Sequence, residues 1–266
     1  MCECAGVRIR VHVCLIASLA TMLATGCGSS SKPKTPSATP TTTLSMPVET
    51  VLVRAYFLRY GKMAATGRKT VHTLGVGNAS VGALITGPNR AERRIGFRTA
   101  LPAGIQQKRV VLKGNILTLE LTKNLNRAAR AQVVTTLTQF PTVHGVVIVT
   151  PGGSTRLLTR ADFESLLPAV LIESPLPFAQ VKSPLRVSGS SNTFEATSQL
   201  ELLGNNGGFL AAKTVTATSG TGTRGTFAVT LRFRAAADPA TLVSYENSAK
   251  DGSWIDVVRI PVRISG

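Results

Sequence analysis

Acidic residues are scarce in this chain: 13 Asp and Glu stand against 30 Lys and Arg, a formal net charge of +17. No two carboxylates fall at a spacing that suggests glycan hydrolysis, and none cluster as a hard-cation site requires. Histidine is scarcer still, at three residues. His12 lies in the first segment, His72 in a polar loop and His144 at the start of a strand after Pro141. With no G-x-S-x-G motif beside them, nucleophilic catalysis lacks its base, and both later histidines read as solvated. The four cysteines, Cys2, Cys4, Cys14 and Cys27, all precede residue 28. The rest of the chain therefore has no disulfide to staple it and no zinc-type spacing. Aromatics make up only 5%, which argues against a stacked, aromatic-lined ligand pocket. Gly220-Thr221-Gly222-Thr223-Arg224-Gly225 is a literal G-x-G-x-x-G, but it joins two expected strands, not a strand and a helix, and reads as a flexible hairpin loop. No cofactor and no metal are expected, and the chain reads as a non-enzyme.

The N-terminal segment has the parts of a secretory leader. Arg8, Arg10 and His12 form a positive start, residues 13–23 an apolar stretch far short of the ~20 residues that span a bilayer, and Gly26 a small residue before Cys27. The run Leu23-Ala24-Thr25-Gly26-Cys27 resembles the end of a bacterial lipoprotein signal, although Ala24 stands where that pattern usually has Leu. The resemblance implies that residues 1–26 are removed and that Cys27 carries a lipid. The mature chain would then be held to the outer face of the cytoplasmic membrane. An ordinary cleaved signal, with Cys27 left unmodified, is the alternative. Residues 28–47, with Ser29-Ser30-Ser31, Pro33, Pro36, Pro40 and Thr41-Thr42-Thr43, cannot bury enough apolar surface to offset ordering. Residues 27–47 are thus a disordered, lipid-anchored linker, with a reach of about 25 Å as a coil.

Charge divides the remainder. Residues 48–158 carry 16 Lys and Arg against Glu49, Glu92 and Glu120, whereas residues 173–266 carry 9 against 7 acids. The first part reads β, α, β, β, α, β. A buried strand covers 51–58, a polar loop comes next, and Val81, Leu84 and Ile85 mark a weak helix stopped by Gly87-Pro88. A hairpin turns about Gly114-Asn115, and the amphipathic pattern from Leu125 to Phe140 ends at Pro141. A last strand covers 143–149. This order describes a small sheet with helices on one face, an α+β domain.

Two runs in this part resemble a known family. Gly87-Pro88, Ala91-Glu92, Gly96-Phe97, Thr99, Leu101-Pro102 and Gly104 look like the middle of a GerMN domain of sporulation and spore germination proteins. Thr136-Leu137-Thr138-Gln139-Phe140-Pro141-Thr142-Val143 looks like its second signature. The resemblance implies a fold similar to the ring-building domains of secretion machines, and it brings no catalytic residues with it. Residues 159–172 read as a helical junction, with Thr159-Arg160-Ala161-Asp162 as a capping box and Pro168, Pro175 and Pro177 stiffening the chain beyond the helix.

From 173 to 266 the pattern is all-β. Phe227, Val229, Leu231 and Phe233 alternate with polar residues, as do Ile260, Val262 and Ile264, while Pro261 places its strand at an edge or bulge. The spacing suggests a sandwich. Glu173-Ser174-Pro175, Val187-Ser188-Gly189, Phe194-Glu195-Ala196, Gly225-Thr226-Phe227 and Ala249-Lys250-Asp251-Gly252-Ser253 resemble the immunoglobulin-like domain that accompanies GerMN.

The remaining chemical feature is a basic cluster: Arg90, Arg93, Arg94, Arg98, Lys108 and Arg109. Outside the cytoplasm such a patch would meet anionic lipids, wall polymers or acidic proteins, not nucleic acid; arginines that merely solvate a surface are the even alternative. The expected function is a lipid-anchored, non-catalytic envelope protein that acts through contacts with other envelope proteins, in sporulation or germination assembly. The alternatives are an envelope lipoprotein that captures a cell-wall or anionic polymer ligand in the cleft between domains, and, behind it, an envelope hydrolase using His144.

Overall fold

The structure, a computed structural model, describes residues 50–71, 75–234 and 239–265. The leader, Cys27, the linker and His72 lie outside the described residues.

The first core is built on a long hairpin. β1 (Thr50–Arg59) pairs antiparallel with β2 (Lys62–Val71) over its whole length. The two-residue turn between them has Tyr60 at φ 51 and Gly61 at φ 81, the doubly left-handed conformation that suits the twist of a hairpin. β2 occupies the stretch expected to be a polar loop. Its sequence, KMAATGRKTV, has Ala, Thr and Gly where a strand usually shows large apolar residues. Its buried face is small because β1 supplies the bulk, with Tyr56 and Phe57 at 0% exposure.

α1 (Val76–Thr86) comes next, then α2 (Arg90–Arg94), which opens with a capping box in which the Asn89 side chain accepts from Glu92 N and Glu92 accepts from Asn89 N. β3 (Phe97–Arg98) adds to the far edge of β1 at Leu58 and Arg59 only, giving a three-stranded sheet in the order β2-β1-β3. β4 (Gln107–Lys113) and β5 (Ile116–Leu121) form the expected hairpin, with Gly114 at φ 57. α3 (Arg127–Leu137) is capped by Asn126 Oδ1, which accepts from Ala129 N at 2.8 Å. β6 (Gly145–Thr150) lies parallel to β5, and β7 (Gly153–Ser154) turns back on it, so a second sheet runs β4-β5-β6-β7. The α+β order read from the sequence is present, with its strands divided between two small sheets and α1 and α3 packed on each other and on β1.

The rest is β. The three-stranded sheet β13-β10-β8 comprises β8 (Val170–Ser174), β10 (Leu185–Ser191) and β13 (Gly225–Leu231). The five-stranded sheet β12-β11-β14-β15-β9 comprises β9 (Gln180–Val181), β11 (Thr197–Gly204), β12 (Phe209–Thr216), β14 (Ala240–Asn247) and β15 (Trp254–Ile264). Val187, Leu200, Leu202 and Leu242, each at 0% exposure, fill the space between them. Pro261 lies in β15, whose outer side is covered only by the two-residue β9, and Phe178 N donates to the Pro261 carbonyl at 2.7 Å.

The glycine-rich stretch 220–225 joins β12 to β13, which belong to different sheets, so it crosses the sandwich instead of closing a hairpin. It is also tied down. Thr221 N donates to Thr193 O, Gly222 N donates to Asn192 Oδ1, and a side chain at Gly220 would meet the Ala196 backbone at 2.5 Å. Glycine is needed there for close backbone approach, not for a phosphate.

Among the described residues no helix is long and apolar enough to cross a membrane.

Candidate functional site

The expected basic cluster is distributed over the helix α2 and two separate sheets. Arg90, Arg93 and Arg94 occupy one turn of α2, all exposed, and Arg98 on β3 donates to Arg93 O at 2.8 Å. Arg93 itself donates to Pro88 O. Lys108 and Arg109 stand on β4, in the other sheet, where Lys108 pairs with Glu120 at 3.2 Å and both side chains are well exposed. Half of these cations are therefore occupied by partners within their own module. His144 is exposed, its Nδ1 lying 3.1 Å from Asn115 Nδ2. No hydroxyl or thiol hydrogen-bonds to its ring among the described residues. No group of three or more His, Cys, Asp or Glu among the described residues could hold a metal ion.

Three arrangements carry more structure than the expected cluster. The first is the junction. A 3-10 helix, Arg160–Leu166, begins at the Thr159–Asp162 capping box read from the sequence. Its first residue, Arg160, reaches into the protein. Nη1 donates to Glu173 Oε1 at 2.9 Å, Nη2 to Thr135 O at 3.0 Å and Nε to Thr138 Oγ1 at 3.0 Å, and the guanidinium lies 5.3 Å from the centre of the Tyr56 ring. Tyr56 OH donates to the same Glu173 oxygen.

Burial raises the Tyr56 pKa well above its ordinary value, and the Glu173 charge adds to this. Burial opposes the charge on Glu173, but Arg160 and the Tyr56 hydroxyl outweigh it and hold the carboxyl below its usual range. Burial likewise opposes the charge on Arg160, and Tyr56 and Glu173 outweigh it, so that it stays firmly cationic. One cation thus joins β1, α3 and β8. Four residues on, Glu164 accepts from Arg224 Nε at 3.1 Å and from Asn192 Nδ2 at 3.0 Å, while Arg224 Nη2 donates to Pro168 O at 2.6 Å. Lys62 Nζ donates to Ser165 O, and Arg59 to Arg259 O.

The second is a cavity of about 420 Å³ beside this junction, between the β1–β2 turn and strands β8 and β15. Met63, Val170, Ile172, Val258 and Ile260 line it, Tyr60 is its one aromatic, and Arg59, Lys62, Asp256 and Arg259 rim it.

The third is a more polar cleft of about 610 Å³ in the first part of the chain, where Arg127, Arg130 and Arg156 converge. Sequence reasoning missed this cluster. Arg127 and Arg130 are three apart on a helix and share a face, which was legible. Arg156 reaches them only because β6 and β7 turn the chain back, which no local spacing announces.

A family model described as sporulation and spore germination matches residues 54–154, and one described as the immunoglobulin-like domain of bacterial spore germination matches residues 169–253. Both families are described by a process, not by a reaction. Among solved structures, the tandem GerMN domains of the sporulation protein GerM from Bacillus subtilis are 18% identical, with a TM-score of 0.37, over 46% of this chain and 49% of that one. The first GerMN domain of the same protein is 20% identical, with a TM-score of 0.33, over 40% of this chain and 86% of that one. The chain thus spans about half the length of the tandem-domain structure. No curated protein matches it. Residues 54–154 thus match a sporulation and spore germination domain, and residues 169–253, after a short gap, an immunoglobulin-like domain of bacterial spore germination.

Proposed function

We propose that this chain is a non-catalytic protein of the cell envelope, anchored by a lipid on Cys27 and working in sporulation or germination assembly through contacts with other envelope proteins. The observation that carries the reading is the junction. Arg160, Glu173 and Tyr56 on one side, and Glu164 with Arg224 on the other, make one stiff body of two modules. Such a body suits a part that must present two faces at a fixed angle, and it gives nothing to a reaction. The leader, the proline-rich linker and the family of both modules point the same way.

The test is made in intact cells. Membrane fractions should hold the wild-type chain and lose it on Cys27→Ala, and crosslinking should attach the anchored chain to a second envelope protein. A Cys27→Ala chain that still fractionates with membranes would refute the anchor.

The cavity between β2, β8 and β15 favours a second reading, capture of a wall-derived ligand, because its volume lies within the range of small-molecule sites. Its aliphatic lining suits an apolar group better than a sugar. Saturable binding of soluble wall fragments, abolished by Ile172→Trp, would establish it.

A further inference from the structure

The arginine cleft belongs to neither reading, and its charge balance is unusual. Its floor is apolar, formed by Ile148, Leu158 and Phe163, and its walls carry three guanidinium groups and a single carboxylate. That carboxylate, Asp162, is already committed. One oxygen accepts from Arg156 at 2.5 Å, and the other accepts from Thr159 N at 2.7 Å and Thr159 Oγ1 at 3.1 Å. These bonds, the Thr159 N–H first, hold its pKa below the usual carboxylate value, so it stays charged and bound.

Arg127 has no carboxylate opposite it among the described residues. Its Nη2 donates to Asp162 O at 3.0 Å and Ser165 Oγ at 3.3 Å, and its guanidinium rests over the Phe163 ring at 5.5 Å, which fixes the head group and leaves its other donors unclaimed. The side chain of Arg130, one turn along α3 and exposed, makes no hydrogen bond or ion pair among the described residues, its backbone N–H alone donating to Asn126 O at 3.0 Å. The cleft also borders the N-terminal turn of α3, whose backbone adds positive potential. The Gly152-Gly153 turn closes one end, and Gly152 N is held by Asn124 Oδ1 at 2.9 Å.

We infer that this cleft binds a phosphate group, held by the forks of Arg127 and Arg130 with Arg156 at its margin. Guanidinium forks take phosphate and carboxylate alike, in bidentate geometry. A free or terminal phosphate offers three or more unesterified oxygens against a carboxylate's two and so satisfies more of three converging forks, and the open, polar shape also admits a phosphodiester within a chain, which presents two. The inference stands apart from the lipid anchor and from the apolar cavity, and it fails or holds without them.

The test titrates the purified protein with inorganic phosphate and, separately, with poly(glycerol phosphate), at constant ionic strength made up with chloride, while backbone and arginine side-chain NMR signals are followed. Saturable shifts confined to residues 124–130 and 150–158 are expected. Arg130→Ala, which has no internal side-chain bond to lose, should weaken binding about tenfold, the worth of a charge-assisted fork. Arg130→Lys should recover only part of that loss, and Arg94→Ala on α2 should change nothing. Tighter binding of the polymer would identify a phosphodiester chain as the source, and equal binding an isolated phosphate group. Shifts that never saturate, equal shifts with acetate, or an Arg94→Ala loss matching that of Arg130→Ala would overturn the inference.

Discussion

Glu92 is one of three acids in residues 48–158 and is only 2% exposed, so its charge must be compensated locally. Arg68 on β2 donates to both its oxygens, at 2.6 and 2.7 Å, Asn89 N donates at 2.7 Å and Thr66 Oγ1 supplies a further bond. These bonds, Arg68 first, outweigh burial and hold the carboxyl below its ordinary pKa. One side chain thus closes the α2 capping box and fastens α2 to β2. Glu92→Ala strands three donors and should cost about 3 kcal/mol, seen as a drop in Tm of about 6–12 °C. Glu92→Gln, which keeps an acceptor, should cost less.

Gly189 gives a second test at this scale, since a Cβ there would lie 2.0 Å from the Leu171 carbonyl oxygen and 3.1 Å from the Phe227 ring. Backbone cannot yield as a flexible side chain can, so Gly189→Ala should destabilise by about 3 kcal/mol or more. Chemical denaturation with an unchanged slope would measure it.

At the scale of elements, the question is what satisfies the far edge of β1. β3 covers only Leu58 and Arg59, and the strand is too buried for water to serve the rest. α3 and the turn after it do so with side chains. Thr136 Oγ1 accepts from Tyr56 N at 3.0 Å and Gln132 Nε2 donates to Tyr56 O at 3.2 Å, while Gln139 accepts from Arg54 N at 2.9 Å and returns a bond to Arg54 O at 2.7 Å. The second GerMN-like signature, Thr136 to Val143, is in this light a backbone-pairing device. Gln139→Leu should expose the Arg54 amide to hydrogen exchange and cost about 1–3 kcal/mol, while amides of β13 stay protected.

The same bonds explain which parts of the fold were legible. α3, β5 and the sandwich strands bury regular apolar faces, so their periodicity announced them, and the Gly114-Asn115 turn announced β4 beside β5. β2 did not announce itself, because it pairs through backbone against a neighbour that supplies the large side chains. The Arg90–Arg98 cluster was legible as a run along the chain. The Arg127, Arg130 and Arg156 cleft was not, since a non-local turn assembles it.

At the scale of the whole molecule, stability should depend on pH through the two junction carboxylates and through Glu92. Glu92, Glu164 and Glu173 all titrate below their ordinary 4.5 in the folded state, since hydrogen bonds from Arg68, Arg224 and Arg160 outweigh the burial that opposes their charge. The unfolded chain therefore holds more protons than the native one in acid. The stability these groups contribute is complete above 4.5 and is lost as pH falls through their folded values. Glu246 works the other way, because burial and Asp256 raise it despite the Phe194 N–H bond.

On the alkaline side, Tyr245 is pushed up from 10.0 to about 12 by burial and by its bond to Glu201, and its contribution is present below 10 and lost as pH rises through the folded value. Stability should thus form a plateau bounded by these two limbs. Glu173→Gln separates the junction from the other carboxylates: it should lower the plateau by leaving Arg160 without its counter-charge, and it should make the acid limb shallower, because one group fewer takes up a proton on unfolding. Thermal melts of both proteins across the acid range measure the two effects together. An acid limb of unchanged slope would mean that Arg160 and Glu173 do not couple the two modules through charge, and that packing of Leu171 and Leu176 against the first core holds them together instead.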